Sequence, residues 1–191
     1  MADETKTLEL DEIERSTDLN VIREKNCELS AAIQKALLER SDMMATAESL
    51  TGGLVASHIV DIAGSSAILA GGIVAYQNEV KENLLGVPHQ VLETQGAVSA
   101  DTVKAMAEGA RQKFGCEWAI ATSGIAGPGG AEPGKPVGTV WIAVTNSLQN
   151  EAFCKIFAGN RTEVREKSVY SVLSKLLFLL NNQKSTCTSE H

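Results

Sequence analysis

Ser49 and Thr51 lie in the stretch Ala47-Glu48-Ser49-Leu50-Thr51-Gly52-Gly53. It follows the apolar run Met43 to Ala47 and precedes Leu54, Val55, Ile59 and Ile62, which recur at helical spacing. A strand that stops at small polar residues and two glycines and then feeds a helix sets those residues at a helix N-terminus. Unpaired N–H groups and a partial positive charge at such an end suit an anion or a developing oxyanion. The same residues also read as a plain N-cap, with Gly52 and Gly53 easing the turn. On this stretch alone both readings stay open.

A serine nucleophile needs a base. The three histidines, His58, His89 and His191, are scattered, with no second ligand at metal spacing, so they suggest ordinary surface residues and no metal site. Lysine can serve if burial or neighbouring cations keep its amine neutral. Lys81 follows a strand predicted to lie beside the one ending at Ser49, which lets both reach one edge of the sheet; the alternative is a solvated helix lysine. Arg161 and Arg165, four residues apart where a strand passes to the last helix, share a helix face able to grip a phosphate. They read equally as exposed arginines balancing Glu163 and Glu166. Neither a G-x-G-x-x-G nor a G-x-x-x-x-G-K-[ST] pattern occurs, so the usual dinucleotide and P-loop routes have no support.

The elements that must position these residues follow from periodicity. Leu29, Ala32, Ile33, Ala36 and Leu37 form one face of a helix over residues 28–40. Ile68 to Tyr76 reads as a strand in which Gly71 and Gly72 signal a bulge or a close approach. Gln77 to Leu85 is a short helix carrying Lys81. Asp101 to Phe114 is amphipathic, and Trp118 to Ser123 has the apolar continuity of a strand buried on both faces. The loop Gly124 to Pro136 holds five of the sixteen glycines and three of the four prolines, at the edge of an open α/β sheet where ligands bind. Val137 to Thr145 and Glu151 to Phe157 make an antiparallel hairpin, and Val164 to Leu180 a closing helix.

At 191 residues and 43% hydrophobic content the chain fits one domain with a real core, built from aliphatics because aromatics are 4%. The net charge is −7, but residues 1–28 hold nine acidic and four basic side chains. Residues 1–27 therefore read as an acidic, mobile extension or a loosely docked helix, and 182–191 as a polar tail. The net charge argues against a nucleic-acid binder, and in the near-neutral remainder a few cations can matter locally for a small anionic ligand. Four separated cysteines, Cys27, Cys116, Cys154 and Cys187, fit a reduced protein. With no signal-peptide core and no membrane-length apolar run, the chain reads as soluble and cytoplasmic, with no membrane partner.

Taken together, Thr46 to Gly53, Gly71 to Asn78 with Lys81, Gly96 to Ser99, Ser123 to Pro128 and Lys135 to Val140 resemble, in order, the CinA C-terminal domain family, over about residues 28–181. Its characterised members are nicotinamide-nucleotide amidases. The resemblance implies a single-domain α/β fold, a three-layer α/β/α sandwich with a mixed, mostly parallel sheet. It also implies hydrolysis of the carboxamide of nicotinamide mononucleotide to nicotinate mononucleotide and ammonia, without metal or organic cofactor. In those terms Ser49 is the nucleophile, Lys81 its general base and Tyr76 stands close to them. Thr51, Gly52 and Gly53, with Ser123, Gly124 and Gly127, shape the substrate and oxyanion pocket, and Arg161 and Arg165 meet the substrate at its phosphate. A homo-oligomer, with a dimer favoured, is implied as well. Two positions depart from the family pattern: many members carry Cys at Leu50, which reads as a packing replacement, and Asp at Asn160, next to Arg161. A binding module without turnover, or an amidase for another small amide, are the competing readings.

Overall fold

The computed structural model describes residues 11–183; the polar tail beyond 183, with Cys187 and His191, lies outside them. Two helices open the described chain: the short α1 (Glu12–Arg15), then the long α2 (Leu19–Arg40). After β1 (Met44–Glu48) come α3 (Leu54–Val60), β2 (Leu69–Val74), α4 (Asn78–Leu85), α5 (His89–Gln95), α6 (Ala100–Phe114) and β3 (Trp118–Gly124). The hairpin β4 (Thr139–Thr145) and β5 (Asn150–Ile156) leads into α7 (Arg161–Asn182).

The five strands form one sheet in the order β2-β1-β3-β4-β5. β1 runs parallel to both β2 and β3, whereas β3–β4 and β4–β5 are antiparallel, so the mixed sheet is divided evenly between the two kinds of pairing. The cause is the Gly/Pro loop after β3. It contains no helix to cross over the sheet, as a parallel return requires, so β4 comes straight back beside β3.

Strand side chains alternate between two cores of different bulk. Met44, Trp118, Ile120, Val140, Ile142 and Val144 point to the side of α2, α3 and α7. Ala45, Ala47, Ala119, Ala121 and Ala143 point to the side of α4, α5 and α6. The small residues on the second face let α6 lie close, and the sheet between two helical layers gives the three-layer sandwich. Gly109 on α6 faces the end of α4 so closely that an added Cβ would stand 1.9 Å from the Leu85 carbonyl oxygen. Gly109→Ala is therefore expected to lower stability by about 3 kcal/mol, read as a lower urea midpoint at unchanged slope.

Two helices start earlier than periodicity suggests. The boundary expected at residue 28 cuts through α2, which begins at Leu19 behind its cap Asp18. Its buried stripe is Ile22, Asn26, Ser30, Ile33 and Leu37, and the two polar residues interrupt the apolar pattern. Asn26 is buried because its amide donates to the Glu166 carboxylate on α7 at 3.1 Å. Residues 11–18, expected to be mobile or loosely docked, are pinned by the buried Glu14, which pairs with Lys155 at 2.8 Å and accepts from the Ser171 hydroxyl. Likewise α7 starts at Arg161 because Asn160 caps it: its side-chain oxygen accepts from the Thr162 and Glu163 N–H groups, and Glu163 reciprocates. Helix α5 has no counterpart in the periodicity analysis. The irregularity expected at Gly71 is present, as a register shift between β1 and β2 with the Phe114 ring packed over the glycine.

Candidate active site

Parallel pairing in register brings the ends of β1 and β2 together, Glu48 beside Val74. The next residues are locked across the gap: the Ala75 N–H donates to the Glu48 carbonyl at 2.8 Å, and the Ser49 N–H to the Thr122 carbonyl on β3 at 2.9 Å. Chain leaving β2 turns into α4, whose first turn directs Lys81 back toward the sheet edge. Its Nζ lies 3.4 Å from Ser49 Oγ, 2.9 Å from the Ala75 carbonyl and 3.1 Å from the Tyr76 carbonyl. The side chain is 1% exposed, and among the described residues no carboxylate pairs with it. Burial lowers its pKa from the ordinary lysine value, because the charged form is deprived of water with no counter-ion in exchange. The solvated-helix reading of Lys81 is thereby excluded.

The stereochemistry suits the neutral amine. Two N–H bonds reach the Ala75 and Tyr76 carbonyls, leaving one lone pair to receive a proton from the Ser49 hydroxyl. Ser49 itself is only partly buried, so a substrate can approach it.

Neither Ser49 nor Thr51 caps α3. Its N-cap is Gly53, and the capping oxygens come from Glu48, which accepts from the N–H groups of Gly53, Val55 and Ala56 at 2.9, 3.0 and 2.9 Å. Gly52 (φ 62°) and Gly53 (φ 92°) take the left-handed conformations that allow the chain to reverse here. The Thr51 hydroxyl is buried against that of Thr122 at 2.7 Å. Leu50 sits in the core at 4% exposure, in keeping with a packing role. With the α3 donors committed to Glu48, the helix N-terminus is closed to an incoming anion. Among the described residues, the N–H groups of Leu50, Thr51 and Gly52 have no acceptor; Leu50 and Thr51 are buried and Gly52 is exposed, so the Gly52 N–H, and not that of Gly53, is the donor open to an oxyanion.

The two arginines part company. Arg165 reaches down to the nucleophile turn, donating from Nε to the Leu50 carbonyl at 3.1 Å and from Nη2 to the Thr51 carbonyl at 2.5 Å. Arg161 stays exposed, with Nη1 3.1 Å from the Gly127 carbonyl and Nη2 3.4 Å from the Tyr76 phenol. It lines a cleft of about 580 Å³ with Gly127, Pro128, Gly159, Asn160 and Thr162. Asn160 makes no bond to Arg161, since its side chain caps α7. The Tyr76 ring is 58% exposed, and its carbonyl is what touches Lys81. The Ser123 hydroxyl is buried and donates to the Ala97 carbonyl at 2.7 Å, tying the Gly96 to Ser99 segment to β3. Gly124 lets β4 approach, for a Cβ there would meet the Thr139 carbonyl oxygen at 2.6 Å.

Sequence reasoning missed Glu48 and Thr122. A carboxylate at a strand end that caps a helix five residues on has no established spacing rule, and Thr122 matters only through its register with β1. No cluster of three or more His, Cys, Asp or Glu among the described residues could hold a metal. His58, expected at the surface, is mostly buried and bonded to Glu166 at 3.0 Å. Burial pushes the Glu166 carboxyl up, but the bonds from His58 and Arg23 outweigh it and hold its pKa below the ordinary value. Cys27, Cys116 and Cys154 are free thiols, and no described helix is long and apolar enough to cross a membrane.

A family model described as "CinA C-terminal domain" matches residues 26–180. A CinA-like protein of Anaeromyxobacter dehalogenans is 42% identical over 160 residues, covering 84% of this chain and 39% of that protein. One from Geobacter sulfurreducens is 44% identical over 160 residues, covering 82% and 38%. The chain thus spans about two-fifths of the length of these curated relatives. Among solved structures, the competence damage-inducible protein A of Klebsiella pneumoniae superposes with a TM-score of 0.81 at 37% identity, covering 83% of this chain and 99% of that one. A competence/damage inducible protein from Agrobacterium tumefaciens gives 0.79 at 39%, covering 83% and 96%.

Proposed function

The chain belongs to the CinA C-terminal domain family, and from the site it carries we propose that it is an amidase that hydrolyses the carboxamide of nicotinamide mononucleotide by a Ser-Lys mechanism. The observation that carries the reading is the buried, uncompensated Lys81 amine 3.4 Å from Ser49 Oγ. Burial without a counter-ion lowers the pKa of this lysine and favours the neutral amine, the form able to accept a proton.

Ser49 Oγ attacks the amide carbon while its proton passes to Lys81. The carbonyl oxygen becomes an oxyanion, which the N–H of the exposed Gly52 is suited to hold. The Lys81 ammonium returns the proton to the amide nitrogen, the C–N bond breaks, and ammonia leaves behind an ester on Ser49. Water then attacks the ester, giving its proton to Lys81, which restores the serine hydroxyl as the carboxylate product departs. Atoms balance as amide plus water to carboxylate plus ammonium, with no redox partner.

Arg161, an exposed cation in the lining of the cleft, is the group we assign to the nucleotide phosphate, while Arg165 shapes the turn. Arg161→Ala is expected to raise KM for nicotinamide mononucleotide about 10- to 100-fold, the equivalent of one lost charge-assisted bond, at nearly constant kcat. The deciding assay is ammonia release from nicotinamide mononucleotide beside nicotinamide and glutamine. Release from the nucleotide alone supports the proposal. Release from another amide reassigns the substrate, and tight nucleotide binding without product over long incubation replaces the enzyme with a binding module.

A further inference from the structure

We infer that Glu48 is the positioning residue of this site: its buried carboxylate closes the turn over residues 49–52 and so sets Ser49 against Lys81. The inference rests on the hydrolytic reading above. Glu48 is 1% exposed, and a carboxylate is stable there only if its oxygens are fully met by donors. They are. One oxygen accepts from Gly53 and Val55, the other from Ala56 and, at 3.2 Å, from the Thr46 hydroxyl.

The consequence is geometric. The side chain of residue 48 grips residues 53 to 56, so the intervening turn has both ends held by one group. The backbone of the same residue fixes the other half of the site, since its carbonyl accepts from the Ala75 N–H and the Ala75 carbonyl accepts from Lys81. One residue therefore spans nucleophile turn and base. With both oxygens occupied and the residue buried, Glu48 is out of a substrate's reach; it acts through Ser49. Its bonds to residues 53, 55 and 56 leave the N–H of the exposed Gly52 as the open donor of the turn.

Glu48→Gln tests this with little change in shape. An amide has one accepting oxygen, so the donors that face its nitrogen lose their acceptor. The expected result is a fall in kcat for ammonia release of about 100-fold, the scale of a small misplacement of reacting groups, with KM held within about twofold. The basic limb of the pH profile set by Lys81 stays where it is. Hydrogen exchange is expected to quicken at the Gly53, Val55 and Ala56 N–H groups while α6 and α7 keep their protection. Should this variant not fold, Glu48→Asp, which keeps the charge one methylene short, is expected to show the same split between kcat and KM. An unchanged kcat overturns the inference, as does a loss of kcat accompanied by lost protection throughout α6 and α7. If the parent protein releases ammonia from no amide, the hydrolytic reading has failed, and exchange alone decides: protection retained at residues 53 to 56 in Glu48→Gln then removes Glu48 from its role.

Discussion

Ser49→Ala is expected to reduce ammonia release from nicotinamide mononucleotide by at least about 10⁴-fold, the loss typical of removing a nucleophile from a preorganised acyl-transfer site. The folded protein should survive the change. The Ser49 side chain caps no helix, its N–H bond to Thr122 is made by the backbone and persists in alanine, and the turn is held by Glu48 and Arg165. Stability is therefore expected to stay within about 1 kcal/mol of the parent, which a melting curve checks alongside the rate. Binding of the nucleotide should also persist, because Arg161 is untouched. Full turnover by the alanine protein would remove Ser49 from the mechanism and, with it, the amidase proposal in this form.

Lys81→Met is expected to be as damaging to the rate, and Lys81→Arg no better. A methionine has no basic nitrogen, and a guanidinium stays protonated throughout the accessible range. In the proposed mechanism, the active form is the neutral amine. The rate should accordingly rise with pH through a pKa that lies below the ordinary lysine value of 10.5, lowered by desolvation. A parent whose rate showed no such basic limb would contradict the assignment of Lys81 as base. The same shift has a signature in stability. At low pH both folded and unfolded chains carry the charge, and the folded protein bears the penalty of burying it. As pH rises through the lowered folded-state pKa toward 10.5, the unfolded chain holds the extra proton and the penalty disappears. The stability of the parent relative to Lys81→Met should therefore climb with pH across that window. Urea titrations of both proteins at several pH values measure it, and a flat or falling difference would mean that the amine is not desolvated.

Much of the architecture was legible without coordinates, for reasons internal to each segment. The apolar run before Ser49, the continuity of Trp118 to Ser123 and the Gly-rich breaks specify strands and their ends, because burial on both faces of a sheet leaves a continuous hydrophobic pattern. The placement of Ser49 and Lys81 at one edge followed from two such strands lying side by side, as β1 and β2 do. Where polar residues are buried, the same logic loses its signal. Asn26 and Ser30 interrupt the stripe of α2, so the helix is nine residues longer at its start than the apolar pattern indicates. The partner of Asn26 is Glu166, 140 residues away.

Residue types and local spacing determined, by themselves, the α/β class, the strand that presents the serine and the helix that carries the lysine. Tertiary structure alone decided which polar groups are left free. It assigned the α3 donors to Glu48, drew Arg165 onto the Leu50 and Thr51 carbonyls, buried Thr51 against Thr122, and removed the water from Lys81. A hydrogen-bonding group chooses its partner by distance in the folded chain, and the turn at residues 50–51 meets Arg165 across more than a hundred residues of sequence. Periodicity reports only which face of an element is buried, so it cannot say which donor or acceptor waits on the other side.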